Sequence, residues 1–562
     1  MARRSRSSKK ALPYYSADFE TTTDPEDCRV WWWGAENVND PDEFHEGNDI
    51  DGFMEWLLDN PSFTYFHNLA FDGSFIIDWL LNNGYRHVFD QPMKNEFTTL
   101  ISNMGKFYSV TIVSEEGRVE LRDSIKKIPL SVDRISKAFK LETQKLDIDY
   151  EMHRPKGYQP TEHERQYGRN DVSIVAQALR LTLSTGMKKL TVGADALEEY
   201  KSILGKKEFG RLFPTLTAEM DDEIRKAYRG GFTYAPPRYA GRMLGGGLVF
   251  DVNSLYPSVM YFNPIPRGVP DYVDGAPPEG ATHYITNITF TARLKEGHIP
   301  CIQIKRSAHF LPTEYQTRID EPITVSVTSV DLDIWRKHYH MDIKSYNGTF
   351  VFETVDGVFT EYIDKWMAVK ANSTGGMREI AKLHLNSLYG KFATNTNVTG
   401  KYPVLKNGVV SLKLGPAETR PPVYTPAGVF ITAYARRETL TAAQANYERF
   451  AYADTDSMHL IGTEPPKSIR VHDSDLGAWK CEGSFTRAVY VRAKQYAETM
   501  SDGHESVHIA GLPSNIASRL TPEDLLTDHT WHGKLLPRRV PGGIVLEPTT
   551  FSFKARKEQH HG

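Results

Sequence analysis

Asp454 and Asp456 stand one residue apart in the run Ala451-Tyr-Ala-Asp-Thr-Asp-Ser-Met-His-Leu460. Its composition predicts two short strands around a tight turn, since Asp and Thr tolerate turn geometry while Tyr452, Met458 and Leu460 favour burial. A partly buried acid pair must be neutralised by protonation, by Lys or Arg, or by a divalent cation, and oxygen ligands favour Mg²⁺ or Mn²⁺. Much earlier, Gly247-Leu-Val-Phe-Asp251 predicts a buried strand ending in a carboxylate, and Pro257 then permits a helix start. Asp251 is the acid expected to face Asp456 across a sheet.

Four further acids lie near the N-terminus. Tyr14–Thr23 predicts a strand whose period of two puts Asp18 and Glu20 on one face. Thr64–Asp72 predicts a strand and turn delivering Asp72 to a helix start, where free N–H groups favour a carboxylate. Tyr167 and Asp171 fall at i and i+4 of a helical pattern and share a face. Taken singly, each acid is more often a cap or a surface residue. Together, Asp18, Glu20, Asp72 and Asp171 could hold two metal ions about 3.5–4 Å apart for in-line attack on phosphorus, with Tyr167 and Lys145 orienting the water.

The elements between these acids carry complementary charge. From Lys365 to Lys391, five basic residues stand against Glu379 alone, a local charge of +4. Arg378, Lys382, Asn386 and Tyr389 fall on one helical stripe, with Met377, Ile380 and Leu388 opposite, a pattern suited to a triphosphate and a stacked base. Tyr228-Arg229-Gly230-Gly231 predicts a turn in which the glycines admit a ligand close to the backbone and the Arg suits a phosphate. Lys494-Gln-Tyr496 interleaves basic and aromatic character.

At 562 residues the chain should divide into several domains. Its net charge of −4 means that any nucleic-acid partner must meet a local basic surface. Cys28, Cys301 and Cys481 are scattered and lack Cys-x-x-Cys spacing, which argues against a disulfide framework or zinc site and for a reducing compartment. The start is basic but has no signal-peptide core, and no run approaches the ~18 apolar residues of a membrane span.

Asp251-Val-Asn-Ser-Leu-Tyr-Pro257, Lys382–Gly390, Tyr452–Ser457 and Lys494-Gln-Tyr496 resemble the polymerase signatures of family B DNA polymerases. Asp18-Phe-Glu20, Asn68–Asp72 and Tyr167–Asp171 resemble that family's 3′–5′ exonuclease signatures, in the same order. The Tyr228–Gly231 element and the large block after Pro257 narrow the resemblance to the protein-primed polymerases of small linear-genome bacteriophages, the phi-twenty-nine-like group. The resemblance implies a mixed α/β multidomain fold, an RNase H-like exonuclease domain followed by a right-hand polymerase of palm, fingers and thumb. It also implies two Mg²⁺ ions (or Mn²⁺) per active site, held by Asp251, Asp456 and the carbonyl of Val252 in one and by Asp18, Glu20, Asp72 and Asp171 in the other.

Further roles follow from the same resemblance. Asp454 is a secondary acid. Lys370, Arg378 and Lys382 cradle the incoming triphosphate, with Leu255 and Asn386 in the same pocket; Tyr389 stacks near the nascent pair, and Tyr256 crowds the sugar 2′ position. Lys494 and Tyr496 hold the primer, and Tyr228, Gly230 and Gly231 contact DNA. Tyr65, His67, Asn68, Phe71 and Ser124 grip a frayed single-stranded end. Partners implied are template–primer, single-stranded DNA, deoxynucleoside triphosphates and a terminal priming protein, for a monomer in the cytoplasm of an infected bacterial host.

The expected divisions are a basic arm at 1–13, exonuclease at 14–190, palm at 191–262 and 421–490, a terminal-protein insertion at 263–356, fingers at 357–396, a strand-displacing insertion at 397–420, and a thumb at 491–562. Two alternatives keep the same residues: a nucleic-acid-primed family B polymerase, and a DNA-end-binding protein with inactive sites.

Overall fold

The computed structural model describes residues 11–304 and 315–555; the basic arm expected at 1–13 lies largely outside them. The N-terminal part is built on a ten-stranded sheet with Tyr14–Thr21 third from one edge. That strand runs parallel to Phe63–Phe66, which runs parallel to Arg118–Asp123, while Val30–Asn37 lies antiparallel on its other side. The helices Leu69–Asn82 and Glu162–Ser184 cover the sheet. The second starts at Thr161, where a reciprocal capping box with Glu164 satisfies two otherwise unpaired N–H groups.

A second sheet of seven strands runs in the order Glu505–Ile509, Gln495–Met500, Trp479–Arg492, Gly247–Val252, Ser457–Ile461, Phe450–Asp454, Thr233–Tyr234. The helix Thr425–Ala445 is buried along most of its length, its first half, from Pro426 to Ala435, being free of charge. The expected division at 490/491 falls inside Trp479–Arg492, and the sheet continues to Ile509. The C-terminal element that stands apart is the hairpin His529–Val540/Gly543–Phe553.

Two excursions leave this framework. After Phe262 the chain forms a four-stranded antiparallel sheet from Ile265–Val273, Tyr284–Leu294, Arg318–Thr328 and Tyr339–Val355, with the helix Ser329–His338 between the last two. The hairpin Gly400–Lys406/Val409–Leu414 turns at Asn407-Gly408, both at positive φ as a tight hairpin demands. Its first strand pairs with Glu96–Ser102, so it extends the N-terminal sheet.

One buried ion pair locks three of these parts. Arg436, on the long helix, clasps Asp331 through two hydrogen bonds of 2.9 and 2.7 Å and donates to the carbonyls of Arg229 and Gly230. Asp331 opens the helix of the first excursion, where Thr328 also donates to it. Removing one partner of such a pair leaves an uncompensated charge in the interior. Arg436→Ala should therefore cost about 3–5 kcal/mol, read as a lower urea midpoint; an unchanged midpoint would show that the clasp is not structurally required.

Candidate active sites

The first acid set gathers where the parallel strands end. Ala17 pairs with Phe66, so Asp18 and Glu20 extend just past the point where the neighbouring strand turns at Asn68 into the helix carrying Asp72 in its first turn. Asp171 approaches from the middle of Glu162–Ser184. Burial, and then the negative charge of Asp171, push Asp18 up to about 7. Glu20 is driven well above the carboxylate range by burial and by Asp18, Asp171 and Asp72 together. Asp72 rises likewise, from burial and Asp18.

Lys145 Nζ makes an ion pair with Asp171 and donates to the Tyr167 hydroxyl at 2.8 Å. The Tyr150 hydroxyl, which sequence reasoning did not single out, hydrogen-bonds Tyr167.

The expected single-strand grip divides into two groups. Asn68 is exposed at φ +82°, and Phe71 is partly exposed, so both can face a ligand. Tyr65 and Ser124 are completely buried. The Tyr65 hydroxyl accepts from Arg122, Ser124 donates to the Phe66 carbonyl, and both ring nitrogens of His67 are engaged, by Ser124 and by the Leu130 carbonyl. Tyr65 and Ser124, expected to grip a single-stranded end, thus lie behind His67. Asp123, not anticipated from sequence, accepts from the Asn68 N–H and steadies its left-handed backbone.

In the second set, Asp251 pairs with Ser457 in register, and the Val252 N–H donates to the Asp456 carbonyl at 2.9 Å. Burial, then the charges of Asp456 and Glu482, push Asp251 up to about 7; burial and Asp454 raise Asp456. Asp454 differs from both. Lys494 Nζ lies 3.0 Å from each of its oxygens, and Thr233 donates to it at 2.9 Å. The two acids of the Asp-Thr-Asp turn are thus unequal, one neutralised and one left open.

Aromatic and basic residues lie around this set. Tyr256 and Tyr389 stack at 3.8 Å, with an angle of 7° between their planes. Leu255 is buried and Asn386 is exposed. Lys370 donates to Ser254, and its ammonium is depressed by burial and by neighbouring Arg378 and Lys382, three cations held together as an anion site requires. Gly230 is exposed and open, whereas a Cβ at Gly231 would strike Thr455 Oγ1 at 2.6 Å. Gly231 therefore serves the acid turn itself. Tyr228 is partly buried against the core. Arg229 is buried and spent on the carbonyls of Ala227 and Ser326, so its expected phosphate role is corrected to a structural one. Tyr496 is also buried, stacked on His508, with Lys494 left as the exposed member of that motif.

Backbone strain marks the same places. Of the eight non-glycine residues at positive φ among those described, Asn68, Ser254, Thr455 and Lys494 lie in the two sites. Thr455 is β-branched, which makes its +62° costly and points to a geometry imposed by function.

Among the described residues no three His, Cys, Asp or Glu side chains already form a cage able to hold a metal ion. The donor chemistry nevertheless fits a hard divalent cation. Asp171 Oδ1 and Asp251 Oδ1 are both buried without a hydrogen-bond partner, one in each set, and all available donors are oxygens.

Two dense acid sets and a basic stripe facing a stacked tyrosine pair define a nucleotidyl-transfer enzyme. The model of DNA polymerase type B, organellar and viral, matches residues 57–162 and 147–474. The DNA polymerase of Bacillus phage phi29 is 43% identical over 96% of this chain and 99% of its own length, and that of Streptococcus phage Cp-1 is 32% identical over 96% and 98%. Phi29 DNA polymerase, solved in a ternary complex with primer-template DNA and incoming nucleotide substrates, superposes with a TM-score of 0.92 at 42% identity, covering 97% of this chain and 100% of that one. The chain belongs to the family B DNA polymerases, of the phi29 type, and is a DNA-directed DNA polymerase.

The raised acids fix a pH dependence. Folding favours the protonated forms of Asp251 and Asp18, so their contribution to stability is complete below about pH 4 and is lost as pH rises to about 7. With divalent ions chelated, Asp251→Asn should raise the thermal midpoint more at about pH 8 than at about pH 5. An equal effect at both would contradict the assignment of a raised Asp251.

Proposed function

We propose that the chain replicates a linear phage-type genome, starting from a terminal protein, proofreading with its own 3′–5′ exonuclease and displacing the strand ahead. The observation that carries this reading is the presence of two separate carboxylate sets, each with a buried unpaired oxygen, on one chain of a polymerase family. Two Mg²⁺ ions per site, on Asp251, Asp456 and the Val252 carbonyl or on Asp18, Glu20, Asp72 and Asp171, supply Lewis-acid activation of the nucleophile and neutralisation of the leaving group when bound. Mn²⁺ fits the same donors.

The chain's own groups do the positioning. Lys370, Arg378 and Lys382 take the triphosphate; Tyr389 presents a face to the nascent pair, and Tyr256 occupies the space a ribose 2′-hydroxyl needs. Lys494 holds the primer end. At the other site Asn68, Phe71 and His67 take an unpaired 3′ end, by contacts that need no sequence preference, while Lys145 and Tyr167 orient a water beside Asp171.

We assign residues 14–190 to the exonuclease, 191–262 and 421–509 to the palm, 357–396 to the fingers and the C-terminal hairpin to the thumb. The block 263–356 is the surface offered to a terminal protein, and its support is that it forms a sheet of its own beside the palm. The hairpin at 397–420 is the displacing wedge. Its pairing with the exonuclease sheet, while both its ends return to the polymerase, supports a rigid bridge in the path of downstream DNA.

Asp251→Ala or Asp456→Ala should lower primer extension by about a thousandfold or more, the scale of losing several kcal/mol of transition-state stabilisation, with exonuclease on single-stranded DNA retained. Asp18→Ala with Glu20→Ala should do the reverse. Extension surviving in either palm variant sinks the assignment. Incubation with labelled deoxynucleotides, Mg²⁺ and a terminal protein of a related phage should yield a protein–nucleotide adduct; extension of DNA primers with no adduct would leave an ordinary nucleic-acid-primed polymerase.

A further inference from the structure

Beneath the Asp-Thr-Asp turn lies a buried His–Glu hydrogen bond that none of these roles uses. His459 Nδ1 is 2.6 Å from Glu498 Oε1, with the two side chains 2% and 3% exposed. The Tyr490 hydroxyl donates to the same carboxylate oxygen at 2.5 Å. In sheet order, Gln495–Met500 and Ser457–Ile461 are separated by two strands, too far for direct contact across a flat sheet. They nevertheless meet through His459 and Glu498, and the pairing of Trp479–Arg492 with Gln495–Met500 shifts register near Phe485 and again near Tyr490.

The layer between is aromatic, with Tyr452 stacked on Tyr490 at 5.3 Å and beside Tyr496 at 4.7 Å. Burial works against the charge of Glu498, but His459 and the two hydrogen bonds outweigh it and keep the carboxyl below its ordinary value.

From this pair a continuous set of contacts reaches the chemistry. Tyr452, held flat by Tyr490, accepts from the Lys494 N–H at 2.9 Å and donates to Asp454 at 3.4 Å. Lys494 sits at φ +58° at the turn joining Trp479–Arg492 to Gln495–Met500 and closes the circuit on Asp454. Apolar residues of similar volume would fill this layer at equal or greater stability, so a buried polar pair here is better explained by register than by stability.

We propose that Glu498, through His459 and Tyr490, is a positioning residue for polymerisation: it fixes the strained Lys494 turn, and with it the primer end, relative to Asp454 and Asp456. This rests on reading Ala451–Leu460 as the polymerase site.

The test compares Glu498→Gln, Glu498→Ala and the apolar pair H459L/E498L. Three readouts are KM and kcat for primer–template extension, the balance of extension against degradation at a paired 3′ end, and the thermal midpoint. Glu498→Gln, which keeps the shape and the Tyr490 hydrogen bond, should stay near wild type. Glu498→Ala should raise the primer–template KM by roughly 10- to 100-fold, the scale of a misplacement of up to about 1 Å, and shift the balance towards degradation, with the rate on single-stranded DNA unchanged. H459L/E498L should recover the thermal midpoint without recovering the primer KM. If KM returns together with the midpoint, or if Glu498→Ala leaves KM and balance unchanged, the positioning role is overturned. Failure of the underlying polymerase reading would look different, since the wild-type protein itself would then not extend primers.

Discussion

The structure depends on keeping carboxylates buried in groups that lack enough local positive charge. A single ionised carboxylate in an apolar interior is unfavourable by several kcal/mol, and like charges a few ångströms apart add to that cost. This chain carries the arrangement twice. The result is visible in Asp18 and Asp251, both pushed up to about 7. Only a fold with extensive apolar burial elsewhere can hold such groups in place, and the cluster running from Met187 to Trp479 under the second set supplies it.

Strain and the Arg436–Asp331 clasp belong to the same logic. Thr455 and Ser254 hold positive φ because neighbours over-determine them: the Thr455 N–H donates to the Phe232 carbonyl at 2.7 Å, and its side chain fills the space that Gly231 leaves. Arg436 in turn fixes the Arg229 and Gly230 carbonyls next to that contact. A change at Arg436 is thus felt at the acid turn through two short steps, with no need for a long pathway.

Local chemistry was legible in the sequence. Strand alternation puts Asp18 and Glu20 on one face, an acid at the end of an apolar run marks Asp251, and helical spacing puts Arg378 and Lys382 on one stripe of Gly375–Ser387. What sequence could not supply was set by long-range geometry. Arg229 looks like a phosphate ligand until Trp335 and the Ser326 carbonyl enclose it. Tyr65 and Ser124 look like surface contacts until the parallel strands bury them. Nothing local signals that the sheet runs on past residue 490 to Ile509. Membership of the Gly400–Lys406 strand in the N-terminal sheet is a pairing across some three hundred residues, invisible to any short window.

The two sites also share an asymmetry that the residue types alone do not reveal. In each, one acid already has a lysine: Lys145 on Asp171, Lys494 on Asp454. Asp171 keeps a raised affinity for protons from burial despite its lysine, as do Asp18, Glu20 and Asp72 beside it and Asp251 and Asp456 in the other set. A fixed ammonium is a compact, rotatable donor that lowers the total negative charge without occupying every oxygen. Full neutralisation by lysines would leave no site for an ion, whereas none would make the apo fold costlier still. One lysine per set lies between these limits, and it accounts for why Asp454 and Asp456, so alike in sequence, end in different surroundings.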